Sequence, residues 1–300
     1  QAFLAVKDNP FYIVDVFAEE KYTGNELAVI RGASSLSDIE MQKIAREINF
    51  SETTFILNDE KNGGGFDVRI FTPTEEIPFA GHPTLGTAFI IQQEILKQPI
   101  EEVVLNLKVG PIPVSFTYRG KEPDILWMRQ INPRFGRTLE GAAVAAVLGL
   151  EPEEVERNFP VEEVSTGVPF LIVPLATLHS VKKSRVNMEQ WAKLMTSLEA
   201  KAFLLFCPET HASQNDLHVR VFAHHYGVPE DPATGSANGC LAAYLVKHRY
   251  FGSARVNVRV EQGHEIGRPS LLLLKAEAKG EEIEVSVGGR VFLVARGTLV

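Results

Sequence analysis

An internal duplication constrains the fold of this chain more than any single motif does. Val68-Arg69-Ile70-Phe71, an apolar alternation suited to a strand, leads into Gly81-His82-Pro83-Thr84-Leu85-Gly86-Thr87-Ala88 and an apolar helical run. Far downstream, Val219-Arg220-Val221-Phe222 leads into Gly235-Ser236-Ala237-Asn238-Gly239-Cys240-Leu241-Ala242 and a second such run. The two arginines are 151 residues apart and the two leading glycines 154, so the second copy carries three extra loop residues. A third pair, Thr23-Gly24 before Leu27-Ala28-Val29-Ile30 and Thr166-Gly167 before Phe170-Leu171-Ile172-Val173, is spaced by 143. Any one of these matches could arise by chance among apolar strands; three in the same order divide the chain into two related halves. They are expected to meet near residues 129–133.

Within the halves, strands are expected over residues 11–17, 66–72, 103–108, 112–118 and 125–128, several in succession without a helix between them. Succession of that kind favours antiparallel pairing and an α+β class over a doubly wound parallel sheet. Ser37 and Glu40 form a capping-box start for a helix with Met41, Ile44, Ala45 and Ile48 on its apolar face. The second half predicts helices near 141–149, 188–200 and 237–248, with strands around 202–207, 256–261, 271–276 and 283–287. The expected domains are a first lobe over residues 1–130 and a second over 131–287. A last strand, 290–295, is able to pack on either half; taken with the first lobe, residues 288–300 complete it.

With 45% hydrophobic residues, 300 residues suffice for two cores. The net charge of -8 is spread along the chain without a Lys/Arg cluster, which argues against a nucleic-acid partner. No apolar run is long enough to span a bilayer, and residues 1–10 lack the basic start and apolar middle of a secretion signal. A soluble cytoplasmic protein with no membrane partner is expected. Cys207 and Cys240 stand far apart without CxxC spacing, so they read as buried small apolar residues rather than a disulfide or zinc site.

Two loops end at helix starts built from small residues. Pro83 suits the first helical position, where its missing N–H costs nothing. In Asp231-Pro232-Ala233-Thr234-Gly235-Ser236, Ser236 is the expected N-cap. Helix N-termini present unsatisfied N–H groups and a positive dipole end, so Gly81-His82 and Gly235-Ser236 could each hold an anionic group such as a small carboxylate. The plainer reading is that the glycines only turn the chain, Ser236 only caps and Asp231 only precedes a proline. Two such loops at matched places in a duplicated chain favour a site. Glu52, in Asn49-Phe50-Ser51-Glu52-Thr53-Thr54-Phe55-Ile56, shares a face with Thr54 and Ile56 in the alternation of this strand, and is either a solvated edge residue or a shielded carboxylate with a raised pKa.

These segments carry a family resemblance. Asp15-Val16-Phe17 with Gly24-Asn25, Arg46-Glu47-Ile48-Asn49-Phe50-Ser51-Glu52, Phe71-Thr72-Pro73 with Pro78-Phe79-Ala80-Gly81-His82-Pro83, Glu230-Asp231-Pro232-Ala233-Thr234-Gly235-Ser236, and Gln262-Gly263 with Gly267-Arg268-Pro269-Ser270 resemble, in order and over nearly the whole chain, the motifs of the PhzF (phenazine biosynthesis) family. The resemblance implies a diaminopimelate epimerase-like fold of two pseudo-symmetric lobes, each a mostly antiparallel sheet around a central helix, with the active site between them. It implies a cofactor-independent isomerase, without metal, resembling trans-2,3-dihydro-3-hydroxyanthranilate isomerase and usually a homodimer. Glu52 is then the acid/base, His82 and Asp231 orient substrate and assist proton transfer, and Gly81, Gly235 and Ser236 hold the substrate carboxylate. The epimerase relatives place a cysteine in each lobe; His82 and Ser236 occupy those loops here, which disfavours a two-thiol racemase. An epimerase using Glu52 and Asp231, and a non-catalytic metabolite-binding protein, are the alternatives. Arg69 and Arg220 are expected to make paired structural contacts.

Overall fold

The duplication seen in the sequence recurs as a duplicated sheet topology. The computed structural model describes residues 8–300; residues 1–7, part of the segment in which no secretion signal was read, lie outside the described residues. The chain divides into two units, the first running to Met128 and including Gly289–Val300, the second spanning Arg129–Gly288.

In the first unit, Asn9–Val16 pairs antiparallel with Val291–Leu299 on one side and Asn25–Ile30 on the other. Asn25–Ile30 pairs parallel with Thr53–Ile56, which pairs antiparallel with Phe66–Phe71. Phe66–Phe71 takes the short Glu76–Ile77 antiparallel and Glu102–Leu107 parallel, and Gly110–Arg119 and Glu122–Arg129 complete a meander. The second unit repeats every step. Val161–Ser165 lies antiparallel between Arg134–Leu139 and Pro169–Pro174, which is parallel to Phe203–Cys207. Phe203–Cys207 is antiparallel to Leu217–Ala223, which takes Val228–Asp231 antiparallel and Arg255–Gln262 parallel. Ser270–Lys279 and Glu282–Gly289 close the series. The α+β class with mostly antiparallel sheets is as expected.

Two details were not legible beforehand. The final strand, left open between the halves, pairs with Asn9–Val16 in the first unit. Its counterpart in the second unit, Arg134–Leu139, was not anticipated because RFGRTL has no apolar alternation and is largely exposed.

Each sheet packs on one central helix. Gly81–Ile90 is buried at all ten positions, its three polar side chains His82, Thr84 and Thr87 included, the pattern of a fully enclosed helix rather than a surface one. Gly86 admits the strands: a Cβ there would lie 2.6 Å from Leu27 and 2.9 Å from Val16. Its buried hydroxyls bond locally, Thr84 Oγ1 to the Ala80 carbonyl and Thr87 Oγ1 to that of Pro83, with Thr54 2.7 Å from Thr87. In the second unit Gly235–Lys247 plays the same part, and Tyr244, fully buried, donates its hydroxyl to the Pro160 carbonyl. Outside these cores, Asp38–Ile48 starts with the expected capping box and buries Met41 and Ala45. The helix predicted over 188–200 ends at Met195, where Thr196 and Ser197 turn their hydroxyls onto the Lys193 and Leu194 carbonyls; Leu178–Lys183 precedes it. Among the described residues no helix is long and apolar enough to cross a membrane.

Arg69 and Arg220 do make structural contacts, each with a glutamate of its own unit. Arg69 forms a two-pronged pair with Glu76, and Arg220 the equivalent pair with Glu230. The guanidinium groups also lie over Phe71 and Phe222. Arg69 and Lys108 hold the Glu76 carboxyl down at about 2. Arg220 is the more deeply buried, at 4% exposure, and its Nη1 donates to the Val181, Lys182 and Ser184 carbonyls at the end of Leu178–Lys183. Replacing Arg220 by Met should therefore cost about 3–5 kcal/mol in urea unfolding, because Glu230 is left buried and unpaired. Arg69→Met should cost markedly less; equal losses would contradict this ranking.

Candidate active site

Glu52 sits where a helix hands over to a strand. Asn49, in the left-handed region at φ 59°, ends Asp38–Ile48, and four residues later Thr53–Ile56 begins with all four side chains buried. Glu52 thus precedes the strand rather than alternating within it, and the expected shared face with Thr54 and Ile56 does not apply. Its side chain is 18% exposed, but Oε2 is buried and accepts no hydrogen bond. Burial pushes the carboxyl up to about 7, opposed only in part by a hydrogen bond with Ser51. His82 Nε2 lies 3.5 Å from that oxygen and 3.3 Å from the Glu26 carbonyl. His82 is the second residue of the enclosed helix, so its ring is held by the core beneath it. Gly81 is the first, buried at a helix start whose N–H groups have no intrahelical acceptors.

In the second unit, Asp231 ends the strand Val228–Asp231 and its carboxylate accepts from Thr234 Oγ1. Ser236 is not the N-cap. Thr234 holds that place, and its hydroxyl is spent on Asp231 rather than on capping the helix. Gly235 is the first helical residue and Ser236 the second, the place His82 has in the first unit. Gln262 fastens the loop. Its Nε2 donates to the Asp231 carbonyl at 2.8 Å and to Thr234 Oγ1 at 3.0 Å, while its Oε1 accepts from the Thr234 N–H at 3.2 Å and Asn238 Nδ2 at 2.9 Å. In the sequence, the signal for this role is a glutamine closing the strand pattern Val256 to Glu261 and followed directly by Gly263; in the structure it ends Arg255–Gln262 and Gly263 turns the chain at φ 82°.

The matched registers show that the two units are chemically unequal. Thr53 faces Phe71 as Phe203 faces Phe222, so the counterpart of Glu52 is Ala202, a fully buried residue without an ionisable group. Ile70 faces Ile77 as Val221 faces Asp231, so the counterpart of Asp231 is Ile77. Cys240, a turn into the second helix, is fully buried, and burial pushes its thiol up to about 12; Cys207 is buried and raised likewise. Neither is a ready thiolate. A cavity of about 240 Å³ in the second unit is lined by Arg134, Arg137, Glu163 and Glu199 among others, with no candidate residue in its wall.

A carboxyl whose pKa is raised by folding stabilises the folded state at low pH and loses that contribution as pH climbs through its folded value. Removing the charge with Glu52→Gln should therefore stabilise the protein progressively from about pH 4.5 to about 7, levelling off near ~3 kcal/mol above that. Thermal or urea unfolding across this range checks it; a pH-independent difference would contradict the raised pKa.

Comparison with known proteins bears on what such a site does. The family model for PhzC-PhzF, described as phenazine biosynthesis-like protein, matches residues 14–297. Trans-2,3-dihydro-3-hydroxyanthranilate isomerase of Pseudomonas aeruginosa is 34% identical over 296 residues, covering 96% of this chain and 99% of that one. The crystal structure of a PhzF-family protein from Bacillus anthracis superposes with a TM-score of 0.89 at 26% identity, over 98% and 99% of the two chains. A probable proline racemase from Agrobacterium radiobacter, 10% identical, superposes with a TM-score of 0.64 over 97% and 93%, which shows a shared fold.

Proposed function

The chain belongs to the PhzC-PhzF family and is an isomerase, and we propose that it moves a proton between two carbons of a small carboxylate through the side chain of Glu52. The observation that carries this reading is a buried carboxyl with a pKa of about 7 placed 3.5 Å from His82. A group that titrates near ambient pH is suited both to take a proton and to return it. In the first half of the reaction the Glu52 carboxylate accepts a proton from one carbon, and the C–H electron pair passes into the substrate's conjugated system. In the second half the Glu52 carboxylic acid gives the proton to another carbon and is regenerated as carboxylate. Atoms and charge balance without a co-reactant.

His82 Nε2 lies 3.5 Å from Glu52 Oε2 beside its hydrogen bond with the Glu26 carbonyl, so a protonated ring steadies the carboxylate by its charge. Gly81, at the helix start that carries His82, is assigned to the substrate carboxylate through the N–H groups of that start, and Gly235 and Ser236 offer a helix start of the same kind beside Asp231 within the second unit. The substrate we assign is trans-2,3-dihydro-3-hydroxyanthranilate, the compound that the Pseudomonas aeruginosa relative is named for. Ala202 at the counterpart of Glu52 removes a symmetric pair of glutamate bases, so an epimerisation would have to use Asp231 as its second base.

Turnover in deuterated buffer followed by NMR tests this. The native protein should convert the substrate, and Glu52→Gln should lose about 10²–10⁴-fold or more in kcat; an active Glu52→Gln protein would sink the mechanism. A second outcome concerns pH. Because protonated Glu52 cannot accept a proton, kcat/KM should fall about tenfold per pH unit below about 7. A profile that stays flat down to the ordinary carboxylate range would place the base elsewhere.

A further inference from the structure

The second unit contains a cluster of imidazole and carboxylate groups that the proton-transfer site does not use. His218, on the strand Leu217–Ala223, is fully buried between two glutamates. Its Nδ1 is 3.0 Å from Glu261 Oε2 and its Nε2 is 2.7 Å from Glu265 Oε1. Glu261 lies directly beside His218 on the parallel strand Arg255–Gln262, and Glu265 is in the short turn His264–Ile266 that follows. The loop after Cys207 folds onto the same place. The His211 and Ala212 N–H groups and Asn215 Nδ2 all donate to the Glu261 carboxylate, at 2.9, 2.8 and 2.9 Å. The His211 ring stacks flat on His264, with centroids 4.5 Å apart and planes 3° from parallel.

One donor atom from each of His211, His218 and Glu265 lies within 4.8 Å of the others. His218, Glu261 and His264 form an overlapping second group. Two buried atoms of the cluster, Glu265 Oε2 and His264 Nδ1, have no hydrogen-bond partner. Buried polar atoms left in this way call for an explanation, and an ion is one.

We propose that His211, His218 through Nε2, and Glu265 bind a divalent transition-metal ion of the zinc, cobalt or nickel class. Glu261 is not the ligand, since both its oxygens are already occupied by four donors. It instead holds the Nδ1 edge of His218 and so presents Nε2 to the ion, as carboxylates commonly do behind metal-binding histidines. Two imidazoles with one carboxylate select borderline ions of this class over calcium or magnesium, which prefer all-oxygen shells. His211 is exposed and gives the ion its route in, while His218 and Glu261 are buried and fix the geometry. In the ion-free protein the proton on Nε2 bridges to Glu265; the ion displaces it to solvent. Around a zinc-sized ion the ligand atoms stand about 3–3.5 Å apart, so on binding Glu265 gives way slightly from its 2.7 Å contact with His218 Nε2 while His211 closes on the ion. None of these residues belongs to the Glu52 site, and the assignment stands whether or not the proposed reaction is correct.

The test is titration of the chelator-treated full-length protein with zinc chloride by calorimetry and with cobalt chloride by visible absorption. One ion per chain should bind, and cobalt should give the absorption of a low-coordinate site with nitrogen ligands, abolished by zinc. His211→Ala and Glu265→Gln should each weaken zinc by about 100-fold or more, and Glu261→Gln by about 10–100-fold. His211 is at the surface, so its variant keeps the fold, which circular dichroism verifies. Zinc should raise the melting temperature of the native protein and leave that of His211→Ala unchanged. Absence of stoichiometric uptake by the native protein, or native affinity in both His211→Ala and Glu265→Gln, overturns the assignment.

Discussion

The chemistry proposed for this protein depends on the desolvation of one carboxyl group. Withdrawing a carboxylate oxygen from water without giving it hydrogen-bond donors penalises the charged form, and Glu52 Oε2 is in that situation. The protein bears the penalty through a sturdy surround. Asn49 turns the chain out of its helix, Thr53–Ile56 is buried at every position, and the enclosed helix Gly81–Ile90 sets His82 alongside. Gly86 is part of the same construction, because only a residue without Cβ lets Val16 and Leu27 close on that helix. A raised pKa here is a property of packing and not of the glutamate by itself.

Duplication supplies the scaffold, and the groups of the proposed site lie where the copies diverge. The strand order, the parallel and antiparallel senses, the enclosed helix and the Arg–Glu clamps at Arg69–Glu76 and Arg220–Glu230 are common to both units. The reactive groups are not. Glu52 answers to Ala202, Asp231 to Ile77 and His82 to Ser236. A symmetric pair of bases at these matched positions is therefore absent.

What could be read from the chain follows the range over which each signal acts. The duplication, the PhzF resemblance and the α+β class were legible because they rest on many residues in order. The capping box at Ser37 and Glu40 was legible because it is local. Ser236 was misjudged as a cap because the choice between it and Thr234 depends on Asp231, whose carboxylate takes the Thr234 hydroxyl. The strand Arg134–Leu139 escaped notice because it sits exposed at a place with no apolar demand. The pKa of Glu52 could be posed as an alternative but not decided, since desolvation is a sum over neighbours distant in sequence. The same holds for His211, His218, Glu261, His264 and Glu265, spread over some fifty residues and brought together only by parallel pairing of two strands and the loop that closes over them. Cysteine spacing, the usual cue for a metal, is silent about such a cluster.

The central claim is that Glu52 is a carboxyl poised between its charged and neutral forms at ambient pH. Carbon-13 NMR of protein labelled at the glutamate side-chain carboxyls, titrated beside its Glu52→Gln variant, measures this directly. The account predicts one resonance that is missing from the variant and titrates near 7 in the native protein. If the resonance that disappears in Glu52→Gln titrates instead in the ordinary carboxylate range, the burial does not tune the base and the account fails.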